Sequence, residues 1–487
     1  MGSHEGEDPR RFEAVHREGN LAAAPDHAGD SGSVGEQVSG LPSRYLEDAS
    51  GYRGHAERLI LPRDEAEVAA VLREASAAGV PVTVAGAGTG VTGARVPQGG
   101  WVLSLEKLTR LEIHPGYAIA GAGVILRDLH AAAQASGQFY PPDPTETSAS
   151  IGGTIATNAS GSRSFKYGAT RRWIDRLTVV LADGRVMNVG RGNAMDFDPG
   201  TIPLPPVTKN TAGYLLRPGM DWIDLFAGSE GTLGVVTEAR LRLLPAPANL
   251  LAGVIFFASD AAALDAVDEW RTSTPSRMLE YFDGPSLTLL RARFPEIPGA
   301  AQAAILFEQE IQGDHDVETW LARVEAAQGL GESWLAGSPV DRERFRRFRH
   351  ALPELVNDTV RRNGTLKMGT DHAVPIPRNR EMLAYYRRRL EEEFPGRYAI
   401  FGHIGDAHLH VNILPAADDS GRAGGLLLEF ARYAVSLGGT VSAEHGLGKR
   451  KAHLLSLQYA PEYLEAMRAV KRRLDPRNIL GRGTLLA

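Results

Sequence analysis

The stretch Phe401-Gly-His-Ile-Gly-Asp-Ala-His-Leu-His-Val-Asn412 places three histidines within eight residues, and Ser442-Ala-Glu-His-Gly-Leu-Gly-Lys449 adds a Glu-His pair about thirty residues on. Imidazole nitrogen and carboxylate oxygen together suit a borderline divalent cation such as zinc. Two histidines and one glutamate would leave coordination positions open for a substrate, as a working metal needs. His408, His410 and Asn412 alternate, so on a strand they share one face. His403 lies seven residues before His410, on the opposite parity, so a turn at Gly405-Asp406 has to bring it round. A buried structural cluster is the alternative for any single ring. The whole set, with Glu444 and His445, favours a metal or acid–base site.

A second signal lies some three hundred residues upstream. Val82-Thr-Val-Ala-Gly-Ala-Gly-Thr-Gly-Val-Thr-Gly93 is a glycine-dense turn after the apolar residues 80–84. Glycines there permit positive φ and let backbone N–H groups come close to an anion. The turn is neither the dinucleotide fingerprint nor a Walker loop. Alone it would signify only a tight turn, but Pro141-Pro-Asp-Pro-Thr-Glu-Thr-Ser-Ala-Ser-Ile-Gly-Gly-Thr-Ile-Ala-Thr-Asn-Ala-Ser-Gly161 is equally dense in small residues. Two such stretches suit a long, extended ligand with a pyrophosphate and flat rings.

The elements that must position these residues fall into three regions. Residues 45–248 alternate short β-rich runs with helical patterns: a helix over 65–78, a strand over 81–85, a helix over 126–136 and a strand over 177–181 before the turn Ala182-Asp-Gly-Arg185. Residues 249–423 repeat strand and helix, with strands over 253–257, 303–308, 366–369 and 400–414 and helices over 261–271, 316–328 and 380–394. Such an order predicts an α+β cap on an antiparallel sheet. Residues 424–487 read as mostly helical, and residues 1–44, polar and rich in Gly, Ala and Asp, as a disordered tail.

Composition narrows the function. A chain of 487 residues can bury large cores in two or more domains. Its 59 acidic and 53 basic side chains give a net charge of −6, so there is no electrostatic case for nucleic acid. The arginine-rich stretches 342–349 and 387–389 read mainly as solvated helix faces. Apolar runs such as residues 250–258 are too short to span a bilayer, and no secretory signal is visible. A cytoplasmic protein is expected, or one peripheral to the membrane. There is no cysteine, which excludes disulfides, catalytic thiols and a cysteine-ligated iron–sulfur cluster in this chain.

Taken together, the motifs resemble the FAD-linked oxidases with a PCMH-type, vanillyl-alcohol-oxidase-like flavin domain, and among them the D-lactate, glycolate and D-2-hydroxyglutarate dehydrogenases. The resemblance rests on residues 85–93, 141–143, 150–158, Lys166-Tyr-Gly168, 224–236, the His403 segment and Glu444-His445-Gly446, spread over roughly residues 45 to 487. It implies an α+β protein. A two-subdomain PCMH-type FAD-binding domain comes first, then the cap, then a helical C-terminal segment that packs back on the FAD domain. FAD is expected at Ala85, Gly86, Ala87, Gly88, Thr89, Gly90, Gly93, Pro142, Asp143, Gly152, Gly153, Asn158, Glu230 and Val236. Thr89-Gly90 stands where covalent members place a histidine, which implies non-covalent FAD.

By position in the family motif, His403, His410 and Glu444 match the ligands of a divalent metal, zinc or manganese. His445 matches the general base and Asn412 a residue at the substrate end of its strand. His408 stands where relatives often carry another polar residue. Arg349 and Lys367 are candidates for the substrate carboxylate, which a guanidinium can hold bidentately; surface salt bridging is the alternative for both. The ending Gly481-Arg-Gly-Thr484 departs from the Asn-Pro-Gly-Lys of many relatives, and the surroundings of Lys367 differ from the hydroxyglutarate enzymes. The expected activity is FAD-dependent, metal-assisted oxidation of a small D-2-hydroxy acid. Electrons would pass to a separate acceptor: a quinone, a cytochrome or an electron-transfer flavoprotein. A homodimer is compatible with the sequence. The alternatives are a synthase like the alkyl-dihydroxyacetone-phosphate enzymes and a flavin-binding accessory subunit of a larger dehydrogenase.

Overall fold

The computed structural model describes residues 40–486, so the expected tail lies outside the described residues up to residue 39. Among the described residues the first domain holds two main sheets and a two-stranded antiparallel pairing of Gln138–Phe139 with Leu244–Pro245. In the smaller main sheet, Trp101–Ser104 is flanked by Arg58–Ile60 and Val82–Ala85, all parallel. Helix Glu65–Ala78 covers it. Asp64 caps the helix by accepting the Glu67 N–H, and left-handed Gly79 ends it. Its Val68, Val71, Leu72 and Ala75 recur at helical spacing and bury against Ile60, Val82 and Leu103. The chain's end closes the free edge, since the Val82 N–H donates to Ile479 O and the Gly481 N–H to Val82 O.

The larger sheet of this domain is antiparallel, in the order Leu111–His114, Tyr117–Gly121, Val235–Arg242, Ile174–Val180, Val186–Gly190. The short helix Ile151–Ala156, capped by Ser150, packs against it.

The cap is a seven-stranded sheet, antiparallel throughout: Trp334–Ala336, Leu250–Phe257, Ala303–Glu310, Met278–Asp283, Tyr398–His403, His408–Ile413, Met368–Gly369. Both of its faces are covered by helices. Leu251, Ile255 and Phe257 join one core with helices Asp260–Ser273, Asn379–Glu393 and Ser420–Ser436, while Ala252, Val254 and Phe256 join another with helix Pro339–Arg362. Burial on both sides explains why Leu250–Phe257 is a continuous apolar run rather than an alternating one.

Several elements differ from the sequence reading. The run 400–414, with its expected turn at Gly405-Asp406, is a hairpin of the strands Tyr398–His403 and His408–Ile413, whereas the strand Met278–Asp283 was not foreseen. The arginine-rich stretch 342–349 belongs to the long helix Pro339–Arg362, which is not merely a solvated face. Its Phe345, Phe348, Leu352, Val356 and Val360 are buried at helical spacing. The boundary placed at residue 423 falls inside helix Ser420–Ser436, whose Ala423, Leu426, Phe430 and Ala434 belong to the cap core. Helix Pro461–Leu474 contributes Met467, Val470 and Leu474 to the core of the first domain. Among the described residues no helix is long and apolar enough to cross a membrane.

Candidate active site

The hairpin sets the geometry. Its register pairs His403 with His408, Phe401 with His410 and Ala399 with Asn412 across the turn Ile404–Asp406. Directly paired residues of an antiparallel ladder project to the same face. His403, His408, His410 and Asn412 therefore share one face despite their mixed parity along the chain. The neighbouring strand pairs Tyr281 with Gly402, which sets Glu280 beside His403, with Oε1 2.6 Å from Nδ1. On its other oxygen Glu280 accepts from Arg349 Nε at 2.8 Å. Burial alone would raise the Glu280 carboxyl, but Arg349 and His403 hold it at about 2.

Glu444 and His445 reach the same place from an irregular segment after helix Ser420–Ser436. That segment hangs from Asp371, which is fully buried. Asp371 Oδ2 accepts from Ser442 Oγ and the His445 N–H, both at 2.8 Å, and from the Glu444 N–H at 3.2 Å. Gly448 finishes the turn at φ 53°, where a Cβ would lie 2.2 Å from Thr92 O, so only glycine fits. Glu230 accepts from the Leu447 and Gly448 N–H groups, each at 2.8 Å.

Glu444 Oε1 lies 3.3 Å from both His403 Nε2 and His410 Nε2. Ligand atoms bonded at ~2.0–2.1 Å to a tetrahedral ion stand roughly 3.4 Å apart, so these two separations suit a divalent cation. The other carboxylate oxygen is fixed by Ser160 Oγ at 2.8 Å and the buried Lys209 Nζ at 3.4 Å. Burial would raise the Glu444 carboxyl, but Lys209 and His403 hold it well below the usual carboxylate range. The outer nitrogens of both rings face acceptors: Glu280 behind His403, and Thr370 O 3.3 Å from His410 Nδ1. The His445 ring stacks on His410 at 5.3 Å, with Nδ1 3.5 Å from Asp371 Oδ1. Burial pushes the His445 imidazole down to about 4, so it is neutral at neutral pH. His408 is fully buried, with Nε2 3.2 Å from Asp371 Oδ1.

A cavity of about 840 Å³ joins this cluster to the glycine-rich stretches. It is at the upper end of ligand pockets, ~300–1,000 Å³. Residues 86–92, Gly152, Gly153, Glu230 and Val236 line it. The two loops meet closely, since a Cβ on Gly86 would lie 2.6 Å from Ser150 Oγ. The cavity is walled by glycine-rich backbone on one side and by imidazole and carboxylate on another, a lining suited to a large ligand such as a flavin nucleotide. His403, His410, Asn412, Glu444, His445, Arg349 and Lys367 line the same space.

Five residues expected at the flavin do not line it. Ala85 ends its strand fully buried in a small core with Tyr45 and Val102. The Gly93 N–H is taken up by Asp48. The Pro142 carbonyl faces His130 Nε2 at 3.0 Å, and Asp143 pairs with Arg163 at 3.3 Å. Asn158, left-handed at φ 49°, accepts the Arg171 N–H and faces a separate cleft lined by Arg171, Arg191 and Arg217. A small-residue stretch marks the segment that walls a cavity, but not which of its residues face inward.

Arg349 is already engaged by Glu280 and by Thr145 Oγ1 at 2.6 Å. Lys367 makes no hydrogen bond or ion pair among the described residues, and Lys451 lines the same cavity with only Gly369 O near its Nζ, at 3.5 Å. Lys367 keeps an exposed surface, but desolvation of its ammonium against the cavity wall and the Lys451 charge lower its pKa, as expected for two cations facing one space. Sequence reasoning missed Glu280, Asp371, Lys209, Ser160 and Lys451. Asp371 and Lys451 stood near the quoted motifs, whereas Glu280 and Lys209 carry no local signal.

Residues 246–485 match the family described as FAD linked oxidases, C-terminal domain, and residues 56–190 match an FAD binding domain. A D-lactate dehydrogenase of Archaeoglobus fulgidus is 32% identical over 437 residues, covering 88% of this chain and 91% of the relative. The glycolate oxidase subunit GlcD of Bacillus subtilis is 32% identical, covering 91% and 92%. A D-2-hydroxyglutarate dehydrogenase of Xanthomonas citri pv. viticola is 31% identical, covering 88% of each. Among solved structures, an alkyldihydroxyacetonephosphate synthase aligns with a TM-score of 0.65 over 88% of this chain and 76% of its own, at 15% identity, which is a likeness of fold. The chain thus belongs to the FAD-linked oxidases and is an FAD-binding oxidoreductase with the two-domain fold of that family.

Proposed function

We propose that the protein oxidises a small D-2-hydroxy acid, of the lactate, glycolate or 2-hydroxyglutarate class, to the 2-oxo acid. One observation carries this reading: the His445 imidazole is stacked on a cluster of His403, His410 and Glu444 that opens into the cavity walled by the glycine-rich loops. When bound, FAD supplies the two-electron acceptor, and a divalent cation at His403, His410 and Glu444 supplies the charge that lowers the pKa of the substrate hydroxyl.

The remaining roles belong to the chain. His445 takes the hydroxyl proton, and Asp371 behind Nδ1 orients the ring. Lys367 and Lys451 are the unpaired cations available to the carboxylate, with Asn412, whose Nδ2 is buried without a partner, beside them in the cavity wall. Arg349 holds Glu280, which in turn holds His403. The hydroxyl proton goes to His445, while FAD, when bound, would take the C2 hydrogen with its electron pair and would later give up the electrons to a separate carrier.

The test is to add D- and L-2-hydroxy acids anaerobically to the purified flavoprotein and follow the flavin absorbance. Bleaching by one or more D acids is expected, with glycolate as the achiral member of the panel. Bleaching by L acids alone, or by none, would refute the reading. A second reading is favoured by the relative named as a subunit: the chain would act only within a larger assembly. Turnover of the isolated chain with an artificial dye separates the two.

A further inference from the structure

His408 has no part in the reaction above, although it stands in the middle of the site. It is paired directly with His403 and lies two residues before His410 on the same face. Its ring centroid is 5.3 Å from that of His403 and 4.4 Å from that of His410. The residue is completely buried, and neither ring nitrogen makes a well-formed hydrogen bond. An unsatisfied buried polar group costs ~1–3 kcal/mol, so a ring in this state calls for a partner.

Its surroundings repeat a pattern. Histidines that bind metal usually present the other ring nitrogen to a carboxylate or carbonyl. His403 Nδ1 faces Glu280 at 2.6 Å and His410 Nδ1 faces Thr370 O at 3.3 Å, which leaves Nε2 of each toward Glu444. His408 carries the same kind of backing, with Asp371 Oδ1 3.2 Å from Nε2 and Nδ1 without a partner. One ligand atom from each of His403, His408, His410 and Glu444 lies within 4.8 Å of the other three. Resting on the cation reading above, we propose that His408 is a fourth protein ligand, giving Nδ1 to the metal, so that the cation is held by three imidazoles and Glu444.

A second grouping, Asp371, His410 and His445, also comes within 4.8 Å. It would consume both the base and the carboxylate from which the Glu444–His445 turn hangs, so it is the poorer site. Four protein donors already fill a tetrahedron. A cation that also takes the hydroxyl and carboxylate of a substrate must accept five or six ligands, which favours manganese, iron(II), cobalt or an expanded zinc.

The deciding experiment is X-ray absorption at the metal edge of the FAD-loaded protein after reconstitution with zinc or cobalt, counting the imidazoles bound. Three are expected; two would overturn the proposal while leaving the His403, His410 and Glu444 site standing. In parallel, metal affinity of His408→Asn is measured by competition with a chromophoric chelator, with FAD content and melting temperature as checks of folding. A loss of at least about 100-fold is expected, since even the groups behind ligands are worth ~10–100-fold. Unchanged affinity in a folded variant would overturn the proposal. Should the variant not fold, the imidazole count on the wild type decides alone. A wild type that takes up no metal under any loading condition would overturn this inference together with the metal-assisted reading it rests on.

Discussion

Lys209 Nζ lies 3.4 Å from Glu444 Oε2 and 3.3 Å from Asp406 Oδ2, with all three side chains almost removed from solvent. One ammonium from the first domain thereby neutralises a carboxylate next to the proposed cation and a second in the turn of the histidine hairpin. Removing one partner of a buried ion pair costs ~3–5 kcal/mol, because it leaves charge buried and unpaired. Lys209→Met should therefore lower stability by about that amount, read by denaturant titration of the flavoprotein. A variant as stable as the wild type would show that the two carboxylates are neutralised in another way.

His445→Ala is expected to keep its FAD and its metal and to lose roughly 10²–10⁴-fold in the rate of flavin reduction, the usual contribution of a positioned base. Single-turnover absorbance at saturating substrate measures it. Unaltered reduction would mean that another group takes the hydroxyl proton.

FAD should be held without a covalent bond, because the loop 86–92 contains no histidine and the chain no cysteine. Acid precipitation should release the yellow colour to the supernatant. Colour retained in the pellet would contradict this.

Glu230 gives a pH signature. Burial pushes its carboxyl from 4.5 up to about 7, against the Leu447 and Gly448 N–H groups that favour the anion. The folded protein thus keeps a proton that the unfolded chain gives up, so this group makes stability fall as pH rises from about 4.5 to about 7, by on the order of 3 kcal/mol. Glu230→Gln should flatten that part of the stability–pH curve. An equal slope in both proteins would place the group's titration elsewhere.

The hairpin was legible in the sequence because His408, His410 and Asn412 alternate and Gly405-Asp406 marks a turn. Its register was not, and the register is what brings His403 onto the common face. Glu280 was hidden because Met278–Asp283 is covered on both sides, so no alternation marks the strand, and its partner His403 is 123 residues away. Arginine density masked the buried stripe of Phe345, Phe348, Leu352 and Val356. Much of the stretch 144–160 lines the cavity. The inward or outward aim of Pro142, Asp143 and Asn158 depends on tertiary partners such as His130, Arg163 and Arg171, which nothing local announces.

The two domains are stitched across their boundary by Lys209 to Asp406, Arg163 to Glu308, Lys166 and Tyr167 to Glu310, Ser164 to Asp406 and Arg349 to Thr145. A cap without acids at positions 308 and 406 would leave Arg163 with Asp143 alone and would take Asp406 from Lys209. Grafting substrate preference between members of the family therefore requires either that the new cap keep these acids or that the donor's counterparts of residues 143–167 and 209 travel with it.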